Sequence, residues 1–287
     1  MPSVRQIRRR IRSVENTSKI TRAMSLIAAS KMRRSQESAE NARPYSDLIS
    51  NTVSKIISHS SVHDAEAHPL TVSRDMNKIT LIHITPDRGL TGGLNGNVNR
   101  NAFQFIEENK SSEISVIGIG RKGIDFLSKT PAKISESITD ISDRPEISDF
   151  SYIAEIIVND FINEKTDAAF ISYSSFVNTT TQNPTINQLL PVPETSEGKT
   201  NSFGYIFEPN INSVISELIP KYLKSLIFHC ILESIASEQS ARMVAMRNAT
   251  DSANEMVEDL TLVMNKARQE AITTELLDIV SGVAAVQ

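Results

Sequence analysis

The residues in this 287-residue chain that most resemble a chemical site are glycines. Gly118, Gly120 and Gly123 spell GxGxxG at the end of an apolar run, with Asp140 and Asp143 further on. In dinucleotide-binding folds, glycines at this spacing let a pyrophosphate approach a helix N-terminus, and an acidic residue about twenty positions on holds the ribose. Here the motif follows the second strand-like segment rather than the first, and the helix it opens is short. A tight turn is the better reading, and no cofactor is expected. A second glycine-rich loop, DRGLTGGLNGN at 87–97, lacks the Lys-Ser/Thr ending that holds phosphate and magnesium. Arg88 is its one phosphate-seeking group. His59, His63, Asp64, Glu66 and His68 crowd together, and the i, i+4 pair His59/His63 has zinc-like spacing on a helix. The segment is also polar, serine-rich and followed by Pro69, as a solvated loop would be, so no metal is expected. His83 and His229 sit in apolar patterns as core residues, and Cys230 reads as a small packing residue. No set of residues assembles a catalytic site.

The elements around these residues are unusual. From 221 to 281 there is neither proline nor glycine, the two strongest helix breakers. Leu232, Ile235, Gln239, Arg242, Met246, Ala249, Ala253, Met256, Leu260, Val263 and Ala267 recur at alternating spacings of three and four. That is the seam of a helix wound on a partner helix. At 1.5 Å per residue it would run roughly 90 Å, too long to be buried by its own core. Residues 3–43 also lack proline and glycine. Val4, Ile7, Ile11 and Val14 keep the three-four spacing there, and Ile20, Met24 and Ile27 continue as a drifting stripe. Helical pattern resumes past Pro44 to about Ile57. Two such helices at opposite ends of one chain most economically pair antiparallel. Setting Met24 beside Arg242 puts Val4 near Leu262, and leaves a projecting end rich in Leu276, Leu277, Ile279 and Val280.

Between the helices, strand-like runs at 78–85, 113–120, 133–139 and 167–177 alternate with helical stretches near 97–109, 121–129 and 147–163. That alternation implies a sheet with parallel strands and helices on its faces. Segments 185–192 and 203–207 are candidate further strands, 193–202 is a polar loop, and Asn210 or Asn212 is placed to cap the last helix. Pro220 falls near that helix's start, in its first turns or at a kink.

Composition narrows the function. The net charge of −4 conceals a balance of +8 over residues 1–43, leaving −12 for the rest. Clustered Arg and Lys suit nucleic acid or an acidic protein partner, but aromatics for base stacking are few. One cysteine excludes an intramolecular disulfide and is compatible with a reducing compartment. There is no apolar run of membrane-spanning length. The Arg-rich start resembles a transit peptide, but its helical pattern continues unbroken, so it is read as mature protein.

Longer motifs carry a resemblance. ENTSKITRAMSLIAASKMRRSQ, DRGLTGGLN, PTINQLLP, ASEQSARMVAMRNAT and NKARQEAITTELLDIVSG, in this order along nearly the whole chain, closely resemble the gamma-subunit family of F-type ATP synthases. Thr91 stands where many members carry cysteine, and the redox-switch cysteine pair of chloroplast relatives is missing. The resemblance implies an α/β fold class: a long antiparallel coiled coil of the terminal helices (1–57 and 211–287) with a Rossmann-like α/β domain (77–209) inserted between them. It implies a non-catalytic rotor shaft that couples proton- or sodium-driven c-ring rotation to ATP synthesis or hydrolysis in a ring of alpha and beta subunits. The implied partners are those subunits, the epsilon subunit and the membrane c-ring, with no nucleic acid and no substrate of its own. The implied location is the cytoplasmic face of a bacterial membrane, as a peripheral protein. Met24, Arg242, Arg268 and Gln269 match contacts to beta subunits, and Tyr205 and Glu208 match the foot that meets the c-ring. Two alternatives stay open: a dinucleotide-binding oxidoreductase using Gly118, Gly120 and Gly123, and a nucleic-acid-binding coiled-coil protein.

Overall fold

The computed structural model describes residues 3–63, 68–142, 144–192, 208 and 210–286, with side chains at 43, 47, 57–63, 211 and 282–286 outside that description. Two helices dominate: α1 (Val4–His63) and α5 (Ile211–Val286). Both run through a proline, Pro44 and Pro220, and α1 continues past the expected end near Ile57. Asn210 caps α5, its Oδ1 accepting from the Ser213 backbone N–H at 2.8 Å. The chain divides into two compact units, residues 1–28 with 242–287, and residues 29–241.

The larger unit is built on a five-stranded sheet. Its strands are β1 (Lys78–Ile84), β2 (Glu113–Ile119), β3 (Lys133–Ile138), β4 (Ala168–Phe176) and β5 (Gln182–Leu190). The spatial order is β3-β2-β1-β4-β5. The first four are parallel and β5 returns antiparallel to β4. Helices α2 (Leu94–Glu108), α3 (Arg121–Leu127) and α4 (Ser151–Ile162) make the crossovers. The helix α2 starts three residues before its expected position, and 147–149 is a separate 3-10 turn ahead of α4.

One face of the sheet, with Ile79, Leu81, Ile114 and Val116, is covered by Ala102 and Ile106 of α2 and Leu127 of α3. The other, with Ile82, Ile84, Ile117 and Ile119, packs on α4 and on the stretches of α1 and α5 carrying Ile49, Val53, Ile219 and Ile227. Burial on both faces explains why β1 and β2 are predominantly apolar along their length and do not place charged residues at every second position. The candidate strand at 203–207 and the loop at 193–202 lie outside the described residues.

The smaller unit is an antiparallel helix pair. Thr21 and Thr250 hydroxyls lie 2.6 Å apart, and Ser18 donates to Asn254 Oδ1 at 2.8 Å. With Thr21 opposite Thr250, equal rise brings Val4 level with Ala267, not with Leu262 as expected. The seam also differs from the expected stripe. On α1 the three-four spacing continues strictly through Ser18, Thr21, Ser25 and Ala28, and it turns Ile20 and Ile27 outward, 61% and 57% exposed. On α5 the inward positions are Thr250, Ala253, Val257, Leu260 and Met264, while Met256 and Val263 are 45% and 51% exposed. Small hydroxyl-bearing residues let the backbones approach and bond across, so hydropathy alone misplaced Ile20, Ile27, Met256 and Val263, while Ile7, Met246, Ala253 and Leu260 stand inward as expected.

Candidate functional site

At the GxGxxG turn, the chain itself fills the space a ligand would need. Gly120 has φ +94°, and a Cβ there would lie 1.8 Å from the Thr85 carbonyl oxygen. A Cβ on Gly123 would meet His83 Cδ2 at 2.6 Å. The leading N–H groups of α3 all have acceptors within the chain. Arg121 N–H donates to Asp87 Oδ1 (2.9 Å), Lys122 to the Pro86 carbonyl (3.1 Å), Gly123 to Thr85 Oγ1 (2.7 Å) and Ile124 to the Gly120 carbonyl (3.3 Å). A pyrophosphate would find neither space nor donors at this helix end. These glycines dock α3 against the end of β1, as the tight-turn reading expects. Asp140 is held by Arg121 at 3.2 Å, and Asp143 lies outside the described residues.

The loop after β1 is organised by Asp87, whose second carboxylate oxygen accepts from Ile141 N–H at 3.0 Å. Arg88 is exposed, and Leu90 takes a left-handed backbone (φ 65°) with 61% of its surface in solvent. The Thr91 hydroxyl is buried, with no hydrogen-bond partner among the described residues. Beneath this loop His83 is completely buried, with Nε2 2.9 Å from Asn99 Oδ1 and Nδ1 3.2 Å from Ser172 Oγ. Burial disfavours its charged form and pulls its pKa down to about 4, only partly offset by the bond to Asn99. It is a satisfied core histidine, as expected.

The metal reading does not assemble. His68 instead caps the turn at Pro69–Thr71 through Nδ1, with Nε2 2.8 Å from Ser216 Oγ. Burial lowers its pKa. Asp64 and Glu66 and the side chains of His59 and His63 fall outside the described residues. Among the described residues no three His, Cys, Asp or Glu side chains cluster as metal ligands. Cys230 is 1% exposed and its thiol pKa is pushed up, chiefly by burial, which makes it inert. His229 pairs with Glu233 at 3.3 Å.

The helix pair holds most of the remaining candidate residues. Met24 and Arg242 are half-buried and flank the bond from Ser25 Oγ to the Met243 carbonyl, 3.2 Å. Arg268 and Gln269 are exposed, as is every described position from 271 to 281, including Leu276, Leu277, Ile279 and Val280. Glu208 is exposed, and Tyr205 lies outside the described residues. Sequence reasoning missed Ser18, Thr21, Ser25, Thr250 and Asn254, the residues that fix the pair's register. The strict heptad count from Val4 would have found those on α1, had small polar residues been admitted to the seam.

Three comparisons complete the picture. The family model described as ATP synthase matches residues 3–286. An ATP synthase gamma chain of Dehalococcoides mccartyi is 47% identical over 285 residues, covering 99% of each chain. One from Psychrobacter cryohalolentis is 42% identical over the full length of both. Among solved structures, the Tetrahymena thermophila mitochondrial ATP synthase central stalk and c-ring gives TM-score 0.65 at 27% identity, covering 80% of this chain and 99% of that one. A chain of the Euglena gracilis mitochondrial ATP synthase shares the fold, with TM-score 0.66 at 16% identity over 99% of this chain and 94% of its own.

Proposed function

Because the chain belongs to the ATP synthase gamma-chain family, we propose that it is the central shaft through which c-ring rotation reaches the nucleotide sites of the alpha–beta ring. The observation that carries this reading is the helix pair, with its polar seam, its outward apolar residues and its fully exposed end. A helix end bearing Leu276, Leu277, Ile279 and Val280 is an apolar patch of the kind soluble proteins reserve for a partner. Residues 1–57 and 211–287 act as the shaft, and 77–209 as the α/β domain toward the epsilon subunit and the c-ring. The driving ion is a proton or sodium.

The chain itself breaks no bonds and holds no nucleotide. Support comes from the occupied N–H groups at α3 and from the closed glycine turn, which also count against the oxidoreductase alternative. No observation favours the nucleic-acid alternative. An asymmetric shaft can hold three equivalent catalytic sites in different states only through unequal contact energies with them. Met24 and Arg242 lie beside the beta subunits' acidic loop, and Arg268 and Gln269 make directional polar contacts to one beta subunit at a time. The tip beyond them turns in an apolar collar as a bearing. Tyr205 and Glu208 form the foot on the c-ring, so reversing the charge at Glu208 lowers proton pumping more than ATPase rate. The protein then sits on the cytoplasmic face of a bacterial membrane as a peripheral subunit; among the described residues no helix is long and apolar enough to cross it.

The test of these roles compares two variants in the assembled complex. Replacing Arg268 and Gln269 together by Ala lowers ATPase more than complex yield. Removing the last ten residues loosens the shaft but leaves substantial rotation-coupled hydrolysis. Loss of all rotation on truncation, with normal rotation in the double variant, reverses the two assignments.

A further inference from the structure

Within the larger unit, α1, the turn at 144–147 and α5 line two adjoining open hollows of about 620 and 400 Å³ that share Ala42 and Phe228 as walls. Together they span the range of size in which small molecules bind. The larger is lined by two arginines, Arg34 and Arg144, and by Leu232; the smaller by Tyr45, Phe228 and His229. Charge is distributed unevenly along this groove. Glu37, at the larger cavity, is engaged by Arg33 at 3.0 Å. Glu146, at the smaller, is engaged in the capping box with Asp149. Arg34 donates to neutral acceptors, the Ser30 carbonyl at 3.3 Å and its hydroxyl at 3.4 Å. Among the described residues neither Arg34 nor Arg144 has a carboxylate partner. At the other end, His229 spends one ring nitrogen on Glu233, and its Nδ1 is buried without a hydrogen-bond partner.

We propose that this groove binds an elongated amphipathic acid, of the medium-chain fatty acid class, with its carboxylate on Arg34 and Arg144 and its chain over Phe228 and Tyr45. From Arg34 to Tyr45 along α1 is about 16 Å at 1.5 Å per residue, which calls for an extended rather than a compact ligand. Guanidinium groups recognise carboxylates through paired, charge-assisted hydrogen bonds, while the aromatic and aliphatic walls take the hydrocarbon. Because the ligand touches α1, the 144–147 turn and α5 together, its binding raises the thermal stability of this unit.

Calorimetric titration of the purified full chain tests the proposal, using dodecanoate, dodecanol and dodecylammonium as probes. Dodecanoate binds saturably, and the alcohol and the ammonium bind about tenfold more weakly or worse, the scale of a lost charge-assisted contact. Arg34→Gln with Arg144→Gln, both at exposed positions, removes that preference while the far-ultraviolet spectrum stays unchanged. Ala42→Phe blocks all three probes. Equal binding of dodecanoate and dodecylammonium, no saturable binding of dodecanoate, or undiminished binding in the double arginine variant overturns the proposal.

Discussion

At Gly120 the α/β unit is packed so closely that one added methyl group would lie 1.8 Å from a backbone oxygen, whereas the helix pair leaves Ile20 and Ile27 more than half exposed. In the first region each sheet face is closed by helices of the same unit, and even a histidine is buried with both ring nitrogens satisfied. In the second, the seam is narrow and partly hydroxylic, and much of the apolar surface points away from the partner helix. The α/β unit is therefore self-sufficient, while the helix pair is specified for register but left short of burial. Its missing apolar contacts are those the partner ring of the proposed function would supply.

The sharpest way to break this comparison is at the tight end. Gly120→Ala meets both the Thr85 carbonyl and a positive φ, and is expected to destabilise the α/β unit by on the order of 3–5 kcal/mol. Gly89→Ala, with nothing within 4 Å of its added Cβ, is expected to cost less than about 1 kcal/mol. Urea denaturation followed by circular dichroism measures both, and equal midpoints would remove the claim that Gly120 is sterically required.

Acid tests the same unit. His83 is held neutral with its pKa lowered to about 4, against 6.5 for the ordinary group. The unfolded chain therefore binds the extra proton between those values. The stabilisation from keeping His83 neutral is fully present above about pH 6.5, falls as pH drops through that window, and is gone below about pH 4. Its size is on the order of 3 kcal/mol. His83→Gln should flatten this part of the stability–pH curve, and an unchanged slope in the variant would contradict the assignment.

Smaller effects are expected in the helix pair. Thr21→Val and Thr250→Val each lose the cross-helix hydroxyl contact, and a double-mutant cycle should return a coupling of about 1 kcal/mol. No measurable coupling would mean that the hydroxyl pair does not fix the register. At Thr91 the expectation has the opposite sign. Its buried hydroxyl lacks a partner, so Thr91→Cys should raise stability by up to about 1 kcal/mol, read from the denaturation midpoint.

These contrasts also explain what was legible in the sequence. The strands β1, β2 and β4 were visible because burial on both faces favours runs dominated by apolar and small uncharged residues. The two long helices were visible because proline and glycine are nearly missing from them. The antiparallel return of β5 was not visible, since pairing direction depends on chain geometry that a short run such as 182–190 does not encode. The helix register escaped for a different reason. It is set by Ser18, Thr21 and Thr250, whose role depends on hydrogen bonds to residues more than two hundred positions away. The GxGxxG turn shows the converse: the motif was plain, but only the satisfied α3 N–H groups separate a packing turn from a phosphate site. For the residues assigned to partners, motif resemblance was the only signal, because Arg268 and Gln269 are exposed and the contacts proposed for them lie outside this chain.

The central claim is that this chain turns inside a catalytic ring without doing chemistry itself. Its most direct test is single-molecule rotation of a complex assembled from this chain with alpha and beta subunits, the ring fixed to a surface and a probe attached near Glu208. The account predicts unidirectional, stepwise rotation on addition of ATP. A complex that hydrolyses ATP at full rate while the probe stays still would contradict it.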